Sequence, residues 1–329
     1  MRLLGNLICL SLIAGTLQGQ PQVLTGPILG FTSDNDGTAI RPIIGIPGAA
    51  RQADRLRFDL NIRGVVISPR QDYAIASRVE DSQLLAIDLR TGVPLIGLVA
   101  GTHSGTDVAA ISPSGSVAAV YDNASKTIQI IGDLPSAPSL VRELDASHIQ
   151  GRGTGVAVSD DGMVAVIKVF NSNSASLWVI DSSGGFSPIL VDQPSAATFL
   201  ANSHDVIVTD NATHSAFLLL DVAHGANRIP LVSTEDGLNA FSAVSVSEDG
   251  RRVFLADADS GNIAIVDMET RRLALLSCQC RAAGFYRLKG TSVFRLTETS
   301  REPMTVLDAS STEPRIVVIP PSLSGAEAQ

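Results

Sequence analysis

Short apolar runs alternate with turn residues along the chain, and the clearest example is residues 241–277. Four runs, FSAVSVS, RRVFLAD, NIAIVD and RRLALLS, are separated by EDG, ADSG and MET. Alternating or β-branched runs of this length are typical of strands, and Asp-Gly or Ser-Gly between two of them is a hairpin signal. The pattern therefore predicts a sheet of four strands joined by tight connections.

The same pattern recurs through the chain. Its turn element begins at Ser68, Ser112, Ser159 and Ser247, with degenerate copies near Asn202 and Lys289. The intervals are 42 to 47 residues, which is the period of a four-stranded propeller blade. No stretch between these elements has a convincing helical period, so we predict an all-β chain.

The end of the third strand gives a second count of the copies. An apolar run is closed by Asp at Asp88, Asp181, Asp221, Asp267 and Asp308, and Gly132 takes that place in one copy. Upstream, Asp34 closes ILGFTS, and IRPIIGIPG follows as a fourth strand, so only PQVLTG is left as an inner strand. We predict a seven-bladed β-propeller with an abbreviated N-terminal blade. The alternative is a six-bladed ring with this copy packed as an appendage.

A ring of blades follows from the burial of apolar surface. A single four-stranded sheet has two apolar faces, and radial packing at about 10 Å covers both. In the turns, Ser or Asp can accept backbone N–H groups while Gly adopts a positive φ. The recurrence of these residues indicates construction of the ring and not catalysis.

The N-terminus predicts export. Arg2 precedes a mostly apolar run, residues 3–15, and small and polar residues follow. Thirteen helical residues span about 20 Å, short of the roughly 30 Å of a bilayer core, so residues 1–19 are interpreted as a signal peptide. A buried N-terminal element is the alternative. We expect one propeller domain over residues 22–320, a disordered tail over residues 321–329, and a periplasmic or extracellular location.

The charge balance excludes two classes of partner. The chain has 33 acidic and 24 basic residues, a formal net charge of −9. A field of that sign repels phosphate backbones and anionic lipid surfaces. We therefore predict neither nucleic-acid binding nor membrane insertion.

The stretches SEDGRRVFLADADSGNIAIVDMETRRLALL and SPRQDYAIASRVEDSQLLAIDLRTG resemble the YVTN type of bacterial β-propeller repeat, which is similar in architecture to WD40 and lactonase-like propellers. The resemblance spans roughly residues 28–320. It implies a secreted or surface protein. It specifies a blade and not an activity, and it carries no catalytic residue over to this chain.

The connections that join one blade to the next, together with the loops between second and third strands, are predicted to form one polar face around the channel, where propellers usually bind ligands. The candidate ligand-binding residues on this face are His103, Asp107, His148, Arg152, Asp210, Asp236, Asp257 and Arg281. We predict an exported, non-catalytic module that engages a protein, peptide or polar envelope component there, without a cofactor. Its ligand and oligomeric state stay open.

Two alternatives concern the carboxylates and the cysteines. Asp107, Asp210, Asp236 and Asp257 could converge on calcium or another divalent cation, as in a metal-dependent hydrolase of lactonase-like type. The other interpretation of these four aspartates is that they cap their own turns. Cys278 and Cys280 would stand about 6.5–7 Å apart in a strand, at the edge of the range for a disulfide, so their redox state is left open.

Overall fold

The computed structural model describes residues 26–91, 93–225, 227–298 and 302–321. Their strands form seven antiparallel sheets, one of three strands and six of four, and strands that are consecutive in the chain are neighbours in each sheet. The chain is a seven-bladed β-propeller with a shortened first blade. This confirms the predicted fold class, and the six-bladed alternative is wrong. The predicted signal peptide and residues 322–329 of the predicted tail lie outside the described residues.

Strand boundaries follow the repeat. The first blade consists of β1 (Ile28–Ser33), β2 (Ile40–Ile46) and β3 (Ala49–Gln52). The other blades contain β4 (Ile62–Ile67), β5 (Tyr73–Arg78), β6 (Leu84–Asp88) and β7 (Leu95–Leu98); β8 (Val108–Ile111), β9 (Ala118–Asp122), β10 (Thr127–Gly132) and β11 (Ser139–Asp145); β12 (Arg152–Val158), β13 (Ala165–Asn171), β14 (Ser174–Ile180) and β15 (Phe186–Ile189); β16 (Pro194–Phe199), β17 (Val206–Asp210), β18 (Ser215–Leu220) and β19 (Asn227–Val232); β20 (Phe241–Val246), β21 (Arg252–Asp257), β22 (Asn262–Asp267) and β23 (Leu273–Ser277); β24 (Tyr286–Arg287), β25 (Val293–Arg295), β26 (Met304–Asp308) and β27 (Arg315–Ile319).

The two middle strands of each blade form the core. All five residues of β17 are buried, and so are five of the six in β21 and β5. The outermost strands are largely exposed, as β7 and β23 show. Middle strands are apolar on both faces because each sheet packs against a neighbouring blade on either side. The continuous apolar runs of the sequence are thus the middle strands.

The turns between first and second strands have the predicted chemistry. In the fourth blade the Ser159 hydroxyl donates to the Asp161 carboxylate (2.6 Å), which accepts the N–H of Met163 (2.9 Å). Gly162 completes this turn with φ +69°. The equivalent Ser247 and Asp249 of the sixth blade make the same 2.6 Å hydrogen bond. The repeated Ser-x-Asp-Gly is therefore a self-capping turn.

The strand assignment within the first blade is wrong. The run ILGFTS was expected to be a third strand, but it is β1, the innermost strand, and its residues line the channel beside those of β4. IRPIIGI is the second strand and β3 the third. Asp34 closes the β1–β2 turn, where its carboxylate pairs with Arg41 (2.8 Å) and with Arg55.

A glutamine side chain joins the first, second and last blades. Gln71 lies in the β4–β5 turn of the second blade with φ +61°. Its carbonyl accepts the N–H of Phe31 in β1, and its amide donates to the carbonyl of Arg287 in β24, both at 2.5 Å. Around these bonds, Leu29 and Ile43 of the first blade pack against apolar residues of the last. The ring is closed by side-chain packing, by this amide, and by backbone hydrogen bonds from Lys289 N–H to Leu29 (2.8 Å) and from Gln52 N–H to Pro320 (3.4 Å).

Candidate functional site

A cavity of about 380 Å³ lies where the innermost strands of all seven blades meet. Each of these strands ends its sheet, so it is hydrogen-bonded to a single neighbouring strand and its other edge presents backbone N–H and C=O groups to the axis. Residues 65–67 of β4 and 244–246 of β20 are typical of the lining. The volume is in the range of small-molecule sites. We refer to this cavity as the central channel.

Small and aliphatic side chains dominate the channel wall. Ala109, Ala110, Ala157 and Ala197 come from three successive blades, and each is only partly buried. Seven strands converge at the axis, so short side chains leave the space that larger ones would fill. The wall is therefore suited to the apolar body of a small molecule.

Two arginines of the last blade provide the charge in the channel lining. Arg295 is 2 % exposed, and its guanidinium carbon lies 3.9 Å from the ring centroid of Tyr286. Arg287 donates from Nη2 to the carbonyl of Val246 in the sixth blade (2.6 Å). Burial lowers the pKa of both guanidinium groups, but an arginine remains charged in proteins. Among the described lining residues none is Asp or Glu.

Tyr286 lies at the start of β24, next to Arg287 in the sequence and against the guanidinium of Arg295. Its hydroxyl donates to Oε1 of the exposed Glu298 (3.2 Å), and burial, followed by the Glu298 charge, raises the pKa of the phenol. Cross-strand register places Tyr286 opposite Arg295 and Arg287 opposite Phe294. Because adjacent residues of a strand face opposite sides, the two arginines lie on opposite faces of the last blade.

The central channel continues into a second cavity on the face formed by the turns between first and second strands. This turn-face cavity measures about 480 Å³ and shares Pro69, Pro113, Ala201 and Arg287 with the channel. Its other charged lining residues are Arg70, Lys289 and Glu248. Arg287 thus occupies the neck between the two spaces.

Sequence reasoning missed Arg287 and Arg295, although the repeat contains a signal for Arg287. The innermost strands of earlier blades have VAAI, GVAV and AATF, whereas the last blade has FYRL at residues 285–288. A large aromatic and a charged residue replace small ones at positions that face the axis. Comparison of equivalent positions between copies would have identified them.

None of the eight sequence-predicted site residues lines the central channel or the turn-face cavity. In the described parts of the chain, no hydrogen bond or ion pair joins any two of them. Five are exposed, Asp236 is partly buried, and Asp210 and Asp257 are buried. Their role in ligand binding stays a prediction.

Asp210 and Asp257 cap the loops between second and third strands. Asp210 accepts the N–H groups of Gln193 and Ala212, both at 3.0 Å. Asp257 accepts that of Ala240 and the hydroxyl of Ser260. Burial raises the pKa of each carboxyl, but the hydrogen bonds together lower it by more. Both pKa values therefore lie below the ordinary value. Asp210 and Asp257 thus make the hydrogen bonds that are expected of residues capping their own turns.

Asp107 takes part in a bracket between blades. Its carboxylate accepts the N–H of Asn123 (2.7 Å), whose side chain accepts from the N–H of Gly153 in the next blade (2.8 Å) and donates to its carbonyl (3.2 Å). Asn211 makes the same two bonds to Phe241. These loop residues hold neighbouring blades together.

The other predicted site residues lie apart on the surface. His103 pairs with Glu143 of the outer strand β11 (Nε2–Oε2 3.0 Å). Asp236 caps the 3-10 turn Thr234–Asp236 by accepting the N–H of Ser233 (2.8 Å). His148, Arg152 and Arg281 are exposed.

The arrangement of Ser159, Asp161 and His204 does not support nucleophilic catalysis. The Asp161 carboxylate accepts from the Ser159 hydroxyl (2.6 Å) and contacts Nε2 of His204 (2.8 Å). A serine nucleophile requires the imidazole beside the hydroxyl, with the carboxylate behind it. Here the carboxylate stands between them, and Ser159 has no exposed surface. This group is a turn that contacts a histidine of the next blade.

A metal ion requires several ligating side chains around one point. In residues 26–91, 93–225, 227–298 and 302–321, no group of three or more His, Cys, Asp or Glu side chains could hold a metal ion. The calcium hypothesis and the lactonase-like alternative stay predictions. No helix within the same residues is long and apolar enough to cross a membrane.

Cys278 and Cys280 form a disulfide in the connection between the last two blades, with their Cα atoms 5.0 Å apart. The sequence estimate assumed an extended strand. In the structure β23 ends at Ser277, and Gln279 adopts φ +51°. This left-handed residue curls the chain and brings the cysteines together.

Comparisons with known proteins show likeness in fold. No protein-family model and no curated protein matches the chain. A protein of unknown function from Desulfotomaculum acetoxidans has a TM-score of 0.59 at 12% identity, over 89% of this chain and 100% of that chain. Hydrazine synthase from Kuenenia stuttgartiensis has a TM-score of 0.48 at 15% identity, over 92% of this chain and 99% of that chain. The YVTN resemblance stays a prediction beside these findings.

Proposed function

We propose that this chain is an exported β-propeller of the YVTN type that binds a small organic ligand in its central channel and does not transform it. The observation that carries the proposal is the 380 Å³ cavity enclosed by the innermost strands of all seven blades. A protein, peptide or envelope component at the opposite loop face stays a prediction.

Rigidity of the wall supports this proposal. Each innermost strand is hydrogen-bonded to a buried middle strand, and Gln71 joins the innermost strands of the first and last blades. Binding to a preformed cavity does not require ordering of loops, so little conformational entropy is lost. Apolar side chains with backbone N–H and C=O groups between them are the usual composition of ligand sites.

The commitment of polar side chains supports a role without catalysis. Asp210 and Asp257 cap loops, Asp107 supports a bracket between blades, and Ser159 is buried behind Asp161. A group fixed in this way stabilises the ring and has no free position beside a substrate in the channel.

Binding in the channel can be tested with N-phenyl-1-naphthylamine, a neutral dye whose fluorescence increases in apolar surroundings. We expect saturable binding to the chain that begins at residue 20. Ala157→Trp fills the channel and abolishes this binding. Ala274→Trp makes the same change on the exposed outer strand β23 and leaves binding intact. Equal binding by the two variants would place the dye outside the channel and reject the proposal.

Export is tested separately. Production of the full chain in a bacterium with a periplasm, followed by cell fractionation and N-terminal sequencing, is expected to give a periplasmic chain that begins near residue 20. An intact cytoplasmic chain would contradict this part of the proposal.

A further inference from the structure

The charge of the central channel is opposite to that of the chain. The whole sequence has a formal net charge of −9. In the described lining of the channel the charged residues are Arg287 and Arg295, with no Asp or Glu. Cations in an apolar cavity exert a strong field because water screens them weakly there.

Arg295 is fixed deep in the wall. It is 2 % exposed, and its guanidinium lies against the ring of Tyr286 at 3.9 Å. The Glu298 carboxylate approaches Nη1 only to 3.9 Å and belongs to an exposed side chain, so its charge is screened by solvent. Because a guanidinium keeps its charge when it is hydrogen-bonded, Arg295 adds positive charge to the channel wall.

Arg287 is placed to contact a ligand. It lines both the central channel and the turn-face cavity, and its Nη2 is held by the Val246 carbonyl. A guanidinium has five N–H donors in a planar fork. Arg287 uses Nη2 for the Val246 carbonyl, and its other N–H groups can donate to a carboxylate or sulfonate. Arg70 and Lys289 add positive charge on the turn-face side, and Glu248 opposes them there.

We infer that the central channel selects organic anions, with the carboxylate or sulfonate group bound by Arg287 in the field of Arg295 and the apolar body against the innermost strands. This inference rests on the proposed function, and it adds the chemical class of the ligand. A neutral ligand of the same shape desolvates the Arg287 guanidinium and offers it no anionic acceptor, which disfavours its binding.

The test compares two dyes with one scaffold, N-phenyl-1-naphthylamine and its 8-sulfonate. A charge-assisted hydrogen bond contributes about 1.5–3 kcal/mol, so we expect the sulfonate to bind the wild-type protein at least about tenfold more tightly. Arg287→Gln is expected to bring this affinity ratio close to one. The control is Arg228→Gln. Arg228 lies on the outer strand β19 and stacks on the ring of Phe217, so its replacement is expected to leave the affinity ratio unchanged.

Two further measurements keep the result interpretable. Thermal unfolding shows which variants are folded, and Arg287→Lys, which retains the charge, is expected to keep a preference for the sulfonate. The wild-type preference must also fall as NaCl rises from about 20 mM to about 500 mM, because chloride competes with the sulfonate for the guanidinium. A preference that does not respond to salt would argue against Arg287 even if Arg287→Gln did not fold.

The outcomes separate the two proposals. If the neutral dye binds, is blocked by Ala157→Trp and shows the same affinity as the sulfonate, the channel is a ligand site and the selection of anions is rejected. An equal preference for the sulfonate in wild type and Arg287→Gln also rejects it. If neither dye binds, both proposals fail.

Discussion

The carboxylate of Asp160 joins three consecutive blades on the turn face, so its removal measures how strongly the ring depends on such bridges. One oxygen accepts the N–H of Ser114 in the third blade, and the other accepts that of Asn202 in the fifth, both at 2.7 Å. Asp160 itself belongs to the fourth blade. The perturbation is Asp160→Ala, which removes both bonds and leaves the turn backbone unchanged.

The magnitude follows from these two hydrogen bonds. A bond to a charged acceptor contributes about 1.5–3 kcal/mol, so two would contribute about 3–6 kcal/mol if fully buried. Asp160 is only partly buried, and water replaces part of each bond after truncation. We expect a loss of about 2 kcal/mol in the free energy of unfolding. For a domain of this size, this lowers Tm by about 3 °C.

The pH dependence has a defined sign. Partial burial raises the pKa of Asp160, but the hydrogen bonds from Ser114 and Asn202 lower it more, so the folded-state pKa is below the ordinary value. A carboxyl of this kind stabilises the fold fully above its unfolded pKa of about 3.9, and the contribution disappears as pH falls through the folded pKa. The difference between wild type and variant should be constant above about pH 5 and should decrease steadily as the pH falls below the unfolded pKa.

Urea unfolding monitored by circular dichroism at several pH values measures this difference. Glu248→Ala is the matched control because Glu248 occupies the same position in the Ser-x-Asp-Gly turn of the sixth blade and is exposed. We expect its effect to be within about 0.5 kcal/mol. Equal stability of Asp160→Ala and wild type at neutral pH, or a difference that persists unchanged at low pH, would refute the bridge.

Three further predictions concern the contacts that hold the ring. Gln71→Ala leaves two buried backbone groups without the amide that joined them, so we expect it to lower the free energy of unfolding in urea by about 2–4 kcal/mol. Gln83→Ala, at an exposed glutamine, should lower it little. Equal effects of the two substitutions would contradict this role of Gln71. Asn123→Ala removes both bonds of one bracket between blades and should cost about 1–2 kcal/mol by the same assay, and a loss below about 0.3 kcal/mol would count against the bracket. Reduction of the bond between Cys278 and Cys280 should cost only about 1–2 kcal/mol, since the closed loop is very short; alkylation without reductant that labels either cysteine would show that the bond is absent.

The fold could be predicted because each blade is a local repeat with its own turn chemistry. Self-capping turns such as Ser159 to Gly162 fix the register of two strands, and the middle strands are apolar on both faces. The first blade was misassigned for a physical reason. A run closed by Asp marks any junction between a strand and a tight turn, since Asp257 also closes a second strand. Asp34 therefore did not identify which strand it ended.

The site was less predictable because its wall is assembled from residues far apart in the sequence. Loop carboxylates such as Asp210 and Asp257 are attractive by residue type, yet backbone N–H groups occupy their oxygens. Whether a carboxylate is occupied depends on loop geometry, which a residue pattern does not specify. Arg287 could be recognised only by comparison with the equivalent position of each other blade.

Departures from the repeat meet at one place in the ring. Turns of three other blades have Gly115, Gly162 or Gly250 where the second blade has Gln71, which adopts the same left-handed conformation at a cost of about 1–2 kcal/mol for a residue with a Cβ. The Gln71 side chain offsets that cost by bonding to β1 and to the carbonyl of Arg287. Replacement of glycine thus both closes the ring and fixes the strand that carries Arg287 at the neck of the channel. Consensus positions in a repeat protein maintain the architecture, so the positions where one copy departs from the others are the informative ones for function. Here two such positions, Gln71 and Arg287, are joined by a hydrogen bond.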